Sequence, residues 1–484
     1  MTLDSATADY HKRDWFDRFG DGFHLFFSLA WFLCLGLPVS MMEIAFIFVA
    51  GCFLVRLWFI RHGAKLIWMQ WHTLCWLLFI LWQWLAVAWS NDTHEGIYLA
   101  GGMRFAAVIF VLYPMLKHKG WWMLALVAGF ALGHLGQLAA AFDVLPAILS
   151  KHVSVGGRIG GWWPEVIGGE LLAGVFALYV GALVTVIWRW QRGVLSGLQV
   201  GQLAAIISAG GLITLAGLVA TGTRSAWICA VFMMMLGGVV SLFGIRTKRA
   251  RRSGLMMLVA AGLLAGIAGA WLATSPNSPV RSRVLDAQNE IARVVRDGEY
   301  HTNNGLRIKM VLWAIDAFKE KPLTGIGTGS YRQYVLDKKP QATGHELKAI
   351  ELFESANHGH AHNMLMQSLA TQGLIGCGLL VVSIGWWGTL ATRRWLVDTR
   401  NLMTAPVDQT HKNMGFLAML ASQFAAAAPW GALGLLFIFP FDVVLDTAQT
   451  SALFFAFVAM SPGWCPGDHR EQTQLDSGKP LART

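Results

Sequence analysis

Residues 357–376 read NHGHAHNMLMQSLATQGLIG. The stretch closes a long polar segment and opens an apolar run, 363–392, of bilayer-spanning length. An α-helix crosses the hydrocarbon core in roughly 20 apolar residues. Runs of that kind recur along all 484 residues. Hydrophobic residues make up 55% of the chain and charged ones only 14%, where a soluble domain carries about a quarter charged residues. The fold class is therefore an all-α polytopic membrane protein. Read end to end, the runs predict twelve spans at 23–38, 40–60, 70–90, 97–115, 121–142, 165–188, 199–220, 225–244, 255–273, 363–392, 414–439 and 443–461. The span before Pro440 has a second possible break at Pro429-Trp430-Gly431. This divides the chain into a tail (1–22), nine helices (23–273), a loop domain (274–362), three helices (363–461) and a second tail (462–484).

Lys and Arg set the orientation, because short cytoplasmic loops collect them. One set of loops holds Arg56, Arg61, Lys65, Lys117, Lys119, Arg189, Arg192, Arg246, Lys248, Arg249, Arg393 and Arg394. The short loops of the alternate set hold only Lys151, Arg158 and Arg224. Both termini are then expected in the cytoplasm and 274–362 outside it. The net charge of +10 follows from the same bias. With no aromatic-interleaved basic stripe, it does not indicate nucleic acid. The N-terminus lacks a signal peptide's short apolar core and cleavage site, so the first apolar run is expected to be retained. Five of the six cysteines lie in apolar runs and none in the long loop, which argues against disulfides and a cysteine metal cluster.

The loop is too long to be structureless. Helical spacing of apolar residues recurs at Val280–Val295, Leu306–Phe318 and His345–Glu354, and Thr324–Gly329 (TGIGTG) reads as a turn. That turn lacks the lysine of a phosphate-binding P-loop.

An ionisable side chain at a membrane edge is a functional candidate by default. Histidine is the side chain best placed to move a proton near neutral pH. His362 is either a general base or an interfacial histidine at the start of the next helix, with Asn363 beside it. His358, His360 and His362 together leave a metal reading open. As a strand all three share a face, and as a helix only His358 and His362 do. Arg224, in Thr221-Gly222-Thr223-Arg224-Ser225, and Arg158, in Gly156-Gly157-Arg158-Ile159-Gly160-Gly161, lie in loops otherwise poor in positive charge. Guanidinium forks bind phosphate oxygens bidentately. A lipid diphosphate or an ordinary headgroup fits both. Arg307 and Lys309 belong to a charged helix face. Arg104, inside an apolar run, is read as structural or acceptor-side. Asp442 and Asp446 flank the last extracytoplasmic turn, as partners of a base or arginine or as helix caps. Trp121, Trp122, Trp162 and Trp163 read as interfacial belt residues, with stacking on a sugar as the sharper alternative for the last two.

The spacing His362-Asn363, nine residues, Gly373, two residues, Gly376 resembles the signature of the O-antigen ligase and polymerase superfamily. TGTRS before a span, the long loop, and the loop segment NGLRIKMVLWAIDAF–KPLTGIGTGSY carry the same resemblance, most sharply over about 200–380. The resemblance implies a GT-C-like fold in a bacterial inner membrane, with the active site periplasmic. It implies an undecaprenyl-diphosphate-linked O-antigen as donor and inverting transfer without a metal or other cofactor. His362 would be the base, and Arg224 and Arg307 donor diphosphate ligands. Arg158 joins them on loop position and charge. Asn363, His360, Trp162 and Trp163 would be supporting residues, and Gly373 and Gly376 close-packing positions.

Among superfamily activities, ligation onto lipid A–core oligosaccharide is favoured by the short polar tail after Pro462. An O-antigen polymerase and a protein O-oligosaccharyltransferase use the same donor. A transporter or flippase is the reading from a different class. It conflicts with the concentration of ionisable residues at one membrane face.

Overall fold

The structure, a computed structural model, describes residues 15–68, 71–142, 152–153, 158–191, 193–243, 279–404 and 415–461, with isolated positions between 255 and 274. Seven of its helices are long and apolar enough to cross a membrane: Val39–Trp58, Tyr113–Ala141, Glu165–Gln191, Gly197–Ala220, Arg224–Leu242, Met364–Arg393 and Phe416–Ile438. Phe19–Cys34, Thr73–Trp89 and Ala448–Met460 are shorter apolar helices. The chain is an all-α multi-pass membrane protein, and its described strands form one two-stranded ladder, His152–Val153 with Ile159–Gly161.

In chain order the helices are α1 (Trp15–Cys34), α2 (Val39–Trp68), α3 (Trp71–Leu85), α4 (Thr93–Gly102), α5 (Val108–Val111), α6 (Lys119–Ala141), α7 (Glu165–Gln191), α8 (Gly197–Ala220) and α9 (Arg224–Phe243). There follow α10 (Pro279–Asp297), α11 (Asn303–Glu320), α12 (Tyr331–Leu336), α13 (Gly344–Ser355), α14 (Met364–Thr404), α15 (Phe416–Ile438) and α16 (Ala448–Met460). The span expected at 255–273 and the tail after 461 lie largely outside the described residues.

The span expected at 97–115 is not one helix. α4 stops at Gly102, a 3-10 turn covers Met103–Ala107, and α5 is followed by a second 3-10 segment, Tyr113–His118. Paired glycines at 101 and 102 weaken a helix. Pro114, near the start of the second segment, has no N–H to give. A Cβ at Gly102 would sit 3.5 Å from the Asp446 carbonyl, so this broken stretch packs backbone against the 442–446 turn. α15, by contrast, runs continuously through Pro429.

α7 is the central post of the bundle, packed against α8, α9 and α15. Leu171, Leu172, Ala173, Val175, Ala177 and Leu178 are all buried, on every side of it. Between lipid-soluble helices the attraction is close van der Waals packing, which small residues permit. Gly174 and Gly181 do this here: a Cβ would meet Leu435 at 2.9 Å and Trp430 at 2.4 Å, both from α15.

The loop domain has its own core of Leu306, Met310, Trp313, Tyr331, Ile350 and Phe353. The expected loop helices appear as α10, α11 and α13. Its attachment explains the glycine spacing. Gly373 adopts φ +68°, ψ −165°, which breaks α14 and frees its backbone groups. Ile326 and Gly327 N–H donate to Ala370 and Thr371 carbonyls, and Leu374 N–H donates to Pro322. Trp82 Nε1 donates to the Gln372 carbonyl. A Cβ on Gly373 would lie 2.3 Å from the Leu323 carbonyl oxygen, so only glycine fits both the dihedral and the contact.

Candidate active site

The histidine segment is pinned by its backbone neighbours. Met364 N–H donates to the Phe439 carbonyl at 2.8 Å. Asn363 Nδ2 donates to the Pro440 carbonyl at 2.9 Å, and its Oδ1 caps α14 by accepting from Met366 N–H at 3.0 Å. Asn363 thus holds the start of α14 against the turn after α15. His362 itself has φ +48°, a left-handed conformation uncommon outside glycine and kept only where the surroundings enforce it.

That conformation brings His362 Nδ1 to 3.1 Å from Asp442 Oδ1. His362 Nε2 lies 3.3 Å from His358 Nδ1, and His360 Nε2 lies 3.8 Å from Asp442 Oδ1. The Asp442 and His362 side chains are only 8% and 10% exposed. Burial pushes the Asp442 carboxyl up. The hydrogen bond from His362 and the fields of His362, His360 and Arg307 outweigh it and hold the group well below the usual carboxylate range. An ionised Asp442 accepts the Nδ1 proton of His362, which leaves the lone pair on Nε2. Burial, with His362 and Arg307 nearby, holds His358 down to about 4, so it is neutral at pH 7. Asp446 is pushed up to about 7 by burial and by Asp442 and Glu95. The firm negative charge of this turn is therefore Asp442.

The arginines converge on the same elements. Arg307 Nη1 donates to the Phe441 carbonyl at 3.1 Å, next to Asp442. Arg224 Nη1 donates to Asn304 Oδ1 at 3.0 Å, and Asn304 is held by Glu290 through two bonds of 2.8 Å. Asn304 and Arg307, three apart on α11, share a helix face. Arg158 donates to Thr221 O at 2.8 Å and to Thr223 Oγ1 at 3.3 Å. It lies over Gly222, whose φ is +65°. Arg158 and Arg224 therefore share one turn, and Arg224 and Arg307 share one helix start.

The belt reading of the tryptophans needs correction. Trp163 is fully buried, against Phe130 and Gly133, and Trp162 lies over Gly136. Trp163 is therefore not a belt residue and has no exposed face for a sugar. Trp122, also fully buried, stacks on Phe32. Arg104 pairs with Glu43 at an exposed position and sits over the Phe105 ring, which fits its structural reading.

Sequence reading missed Glu170. It is 2% exposed on α7, near enough to Asp442 and Arg307 to feel both charges. The signal was available: a lone carboxylate inside an apolar run is costly unless it serves something.

His360, His362 and Asp442 are the group among the described residues whose donor atoms, all within 4.8 Å of one another, suit a metal ion.

Residues 209–381 match a family model described as O-antigen ligase. A Haemophilus influenzae (strain ATCC 51907 / DSM 11121 / KW20 / Rd) protein, described as uncharacterized, is 25% identical over 164 residues, 34% of this chain. The aligned part spans 37% of that relative's length. The family segment contains Arg224, Arg307 and the three histidines. Arg158, Glu170 and Asp442 lie outside it and reach the site through the fold.

Proposed function

We propose that this chain, which carries a domain of the O-antigen ligase family over residues 209–381, moves O-antigen polysaccharide from undecaprenyl diphosphate onto a hydroxyl of lipid A–core oligosaccharide. The observation that carries the reading is the His362–Asp442 dyad, with Arg307 bonded to the residue before Asp442. A glycosyl diphosphate already has a good leaving group. Transfer needs a hydroxyl made nucleophilic and a departing charge stabilised. The acceptor oxygen attacks the anomeric carbon from the face opposite the diphosphate, and its proton passes to His362 Nε2. The C–O bond to the diphosphate breaks with its electron pair on oxygen, and configuration inverts. Asp442 stabilises the imidazolium. Arg224 and Arg307, with Arg158 behind the same turn, receive the diphosphate charge. His358, now against Nε2, gives way to the acceptor. No step requires a metal.

The loop charges favour a site on the periplasmic side of the bacterial inner membrane, with both termini cytoplasmic and 274–362 as the periplasmic domain. The donor is then a lipid already in the outer leaflet. A nucleotide sugar is on the wrong side.

The test is transfer by the purified chain, given lipid-linked O-antigen and three competing acceptors. Glycan appearing on lipid A–core supports ligation. Extension of a second lipid-linked repeat would reassign the chain as a polymerase, and modification of a peptide as a protein transferase. An intact donor with every acceptor would overturn the reading.

A further inference from the structure

We propose that His360, His362 and Asp442 form a zinc-binding site whose occupancy switches the base off. The proposal rests on His362 being that base, and concerns regulation of the same site. Two imidazoles and a carboxylate suit zinc, which takes three protein ligands and an open fourth position. A tetrahedral zinc with ligands at about 2.1 Å sets its donor atoms about 3.4 Å apart. The two separations to Asp442 Oδ1, 3.1 Å from His362 Nδ1 and 3.8 Å from His360 Nε2, bracket that value. All three donor atoms fall within 4.8 Å of one another, so small rotations of the His360 ring complete the set. The His360 side chain is 29% exposed, which gives an ion an entry path. Asp442 is held in place independently by Val443 N–H at 2.9 Å.

Inhibition follows from the tautomer. A neutral imidazole has one lone pair. In the working arrangement Nδ1 carries the proton, shared with Asp442, and Nε2 carries the lone pair. Zinc on Nδ1 takes the lone pair there, and the ring proton moves to Nε2 by exchange with solvent. Nε2–H cannot accept a proton from a sugar hydroxyl. The site therefore works with a proton between His362 and Asp442 and stops with zinc between them. The third ligand, His360, makes zinc competitive with that proton.

Zinc binding is measured directly on the purified full chain, without a histidine tag, by competition with a fluorescent zinc chelator. One zinc per chain is expected, lost in His362→Ala and Asp442→Asn, and bound at least tenfold more weakly in His360→Ala. No stoichiometric zinc, or binding unchanged in all three variants, overturns the site. In the transfer assay, wild-type activity should fall in step with zinc occupancy and return with chelator, and the zinc needed should rise at least tenfold in His360→Ala. Full activity in the zinc-loaded protein overturns the switch. Because binding is read without turnover, a chain that loads zinc but transfers nothing fails as a transferase while the site stands.

Discussion

Replacing Asp442 with Asn removes a charge from the dyad and leaves its shape. Asp442 Oδ1 accepts from both His362 Nδ1 (3.1 Å) and Val443 N–H (2.9 Å). An amide at 442 keeps its oxygen toward Val443, and therefore toward His362, so the tautomer with the lone pair on Nε2 survives. What disappears is the stabilisation of the imidazolium formed as the hydroxyl loses its proton. A hydrogen bond to a charged group contributes about 1.5–3 kcal/mol, equivalent to a fall in kcat of about 10- to 150-fold. His362→Ala removes the base itself, a loss of about 10²- to 10⁴-fold. If Asp442 acts through His362, the double variant loses no more than His362→Ala alone. The assay is the initial rate of undecaprenyl diphosphate release at saturating donor and acceptor, for wild type, both single variants and the double. An Asp442→Asn rate within threefold of wild type refutes the reasoning. So does a further tenfold fall on the His362→Ala background.

Arg224→Ala should raise KM for the lipid-linked donor by about 10- to 150-fold, the value of a charge-assisted hydrogen bond. Arg224→Lys should recover part of it, because a point charge cannot reproduce the fork; an unchanged KM would remove Arg224 from donor binding. Glu170→Ala should lower kcat about tenfold by leaving Asp442 without its buried neighbour. Glu170→Gln, which keeps the shape and polarity of the side chain, should retain most activity; equal losses in the two variants would show that the carboxyl itself is required. Stability should fall as pH drops from 6.5, the ordinary histidine value, toward the His358 value of about 4. In that window the unfolded chain binds a proton at His358 that the folded chain does not, so stability rises with pH. Thermal midpoints against pH should show this slope, and His358→Gln should flatten it; an unchanged slope places the effect elsewhere.

Most spans were legible because a bilayer demands long apolar runs, and Leu, Val and Phe supply them irrespective of packing partners. The stretch at 97–115 misled because its composition is apolar while its backbone, at Gly101-Gly102 and Pro114, is broken to fit the 442–446 turn. His362 was legible from its place before a span and its spacing to Gly373. Its partner was legible only as an alternative, since Asp442 read equally as a base's partner or a helix cap; it is 80 residues away, and only the fold closes that distance. Glu170 was hidden in a run read for hydrophobicity rather than for its exception. Trp163 followed a belt rule that ignores neighbouring glycines, and Gly133 opens the space that draws its ring inward. Arg158 and Arg224 emerged as outliers of loop charge and Arg307 only by resemblance, and the linkage of Arg224 to Arg307 through Asn304 needed the helix start that places them.

The central claim is that His362 takes the acceptor proton while lipid diphosphate leaves, and single-turnover transfer tests it most directly. Purified wild-type and His362→Ala chains are loaded with lipid-linked O-antigen in the presence of chelator and mixed with lipid A–core. Wild type should release one undecaprenyl diphosphate per glycan transferred. His362→Ala should bind donor with the same Kd and transfer it at least about 100-fold more slowly. Transfer by His362→Ala at more than a third of the wild-type rate, with donor binding intact, would contradict the account.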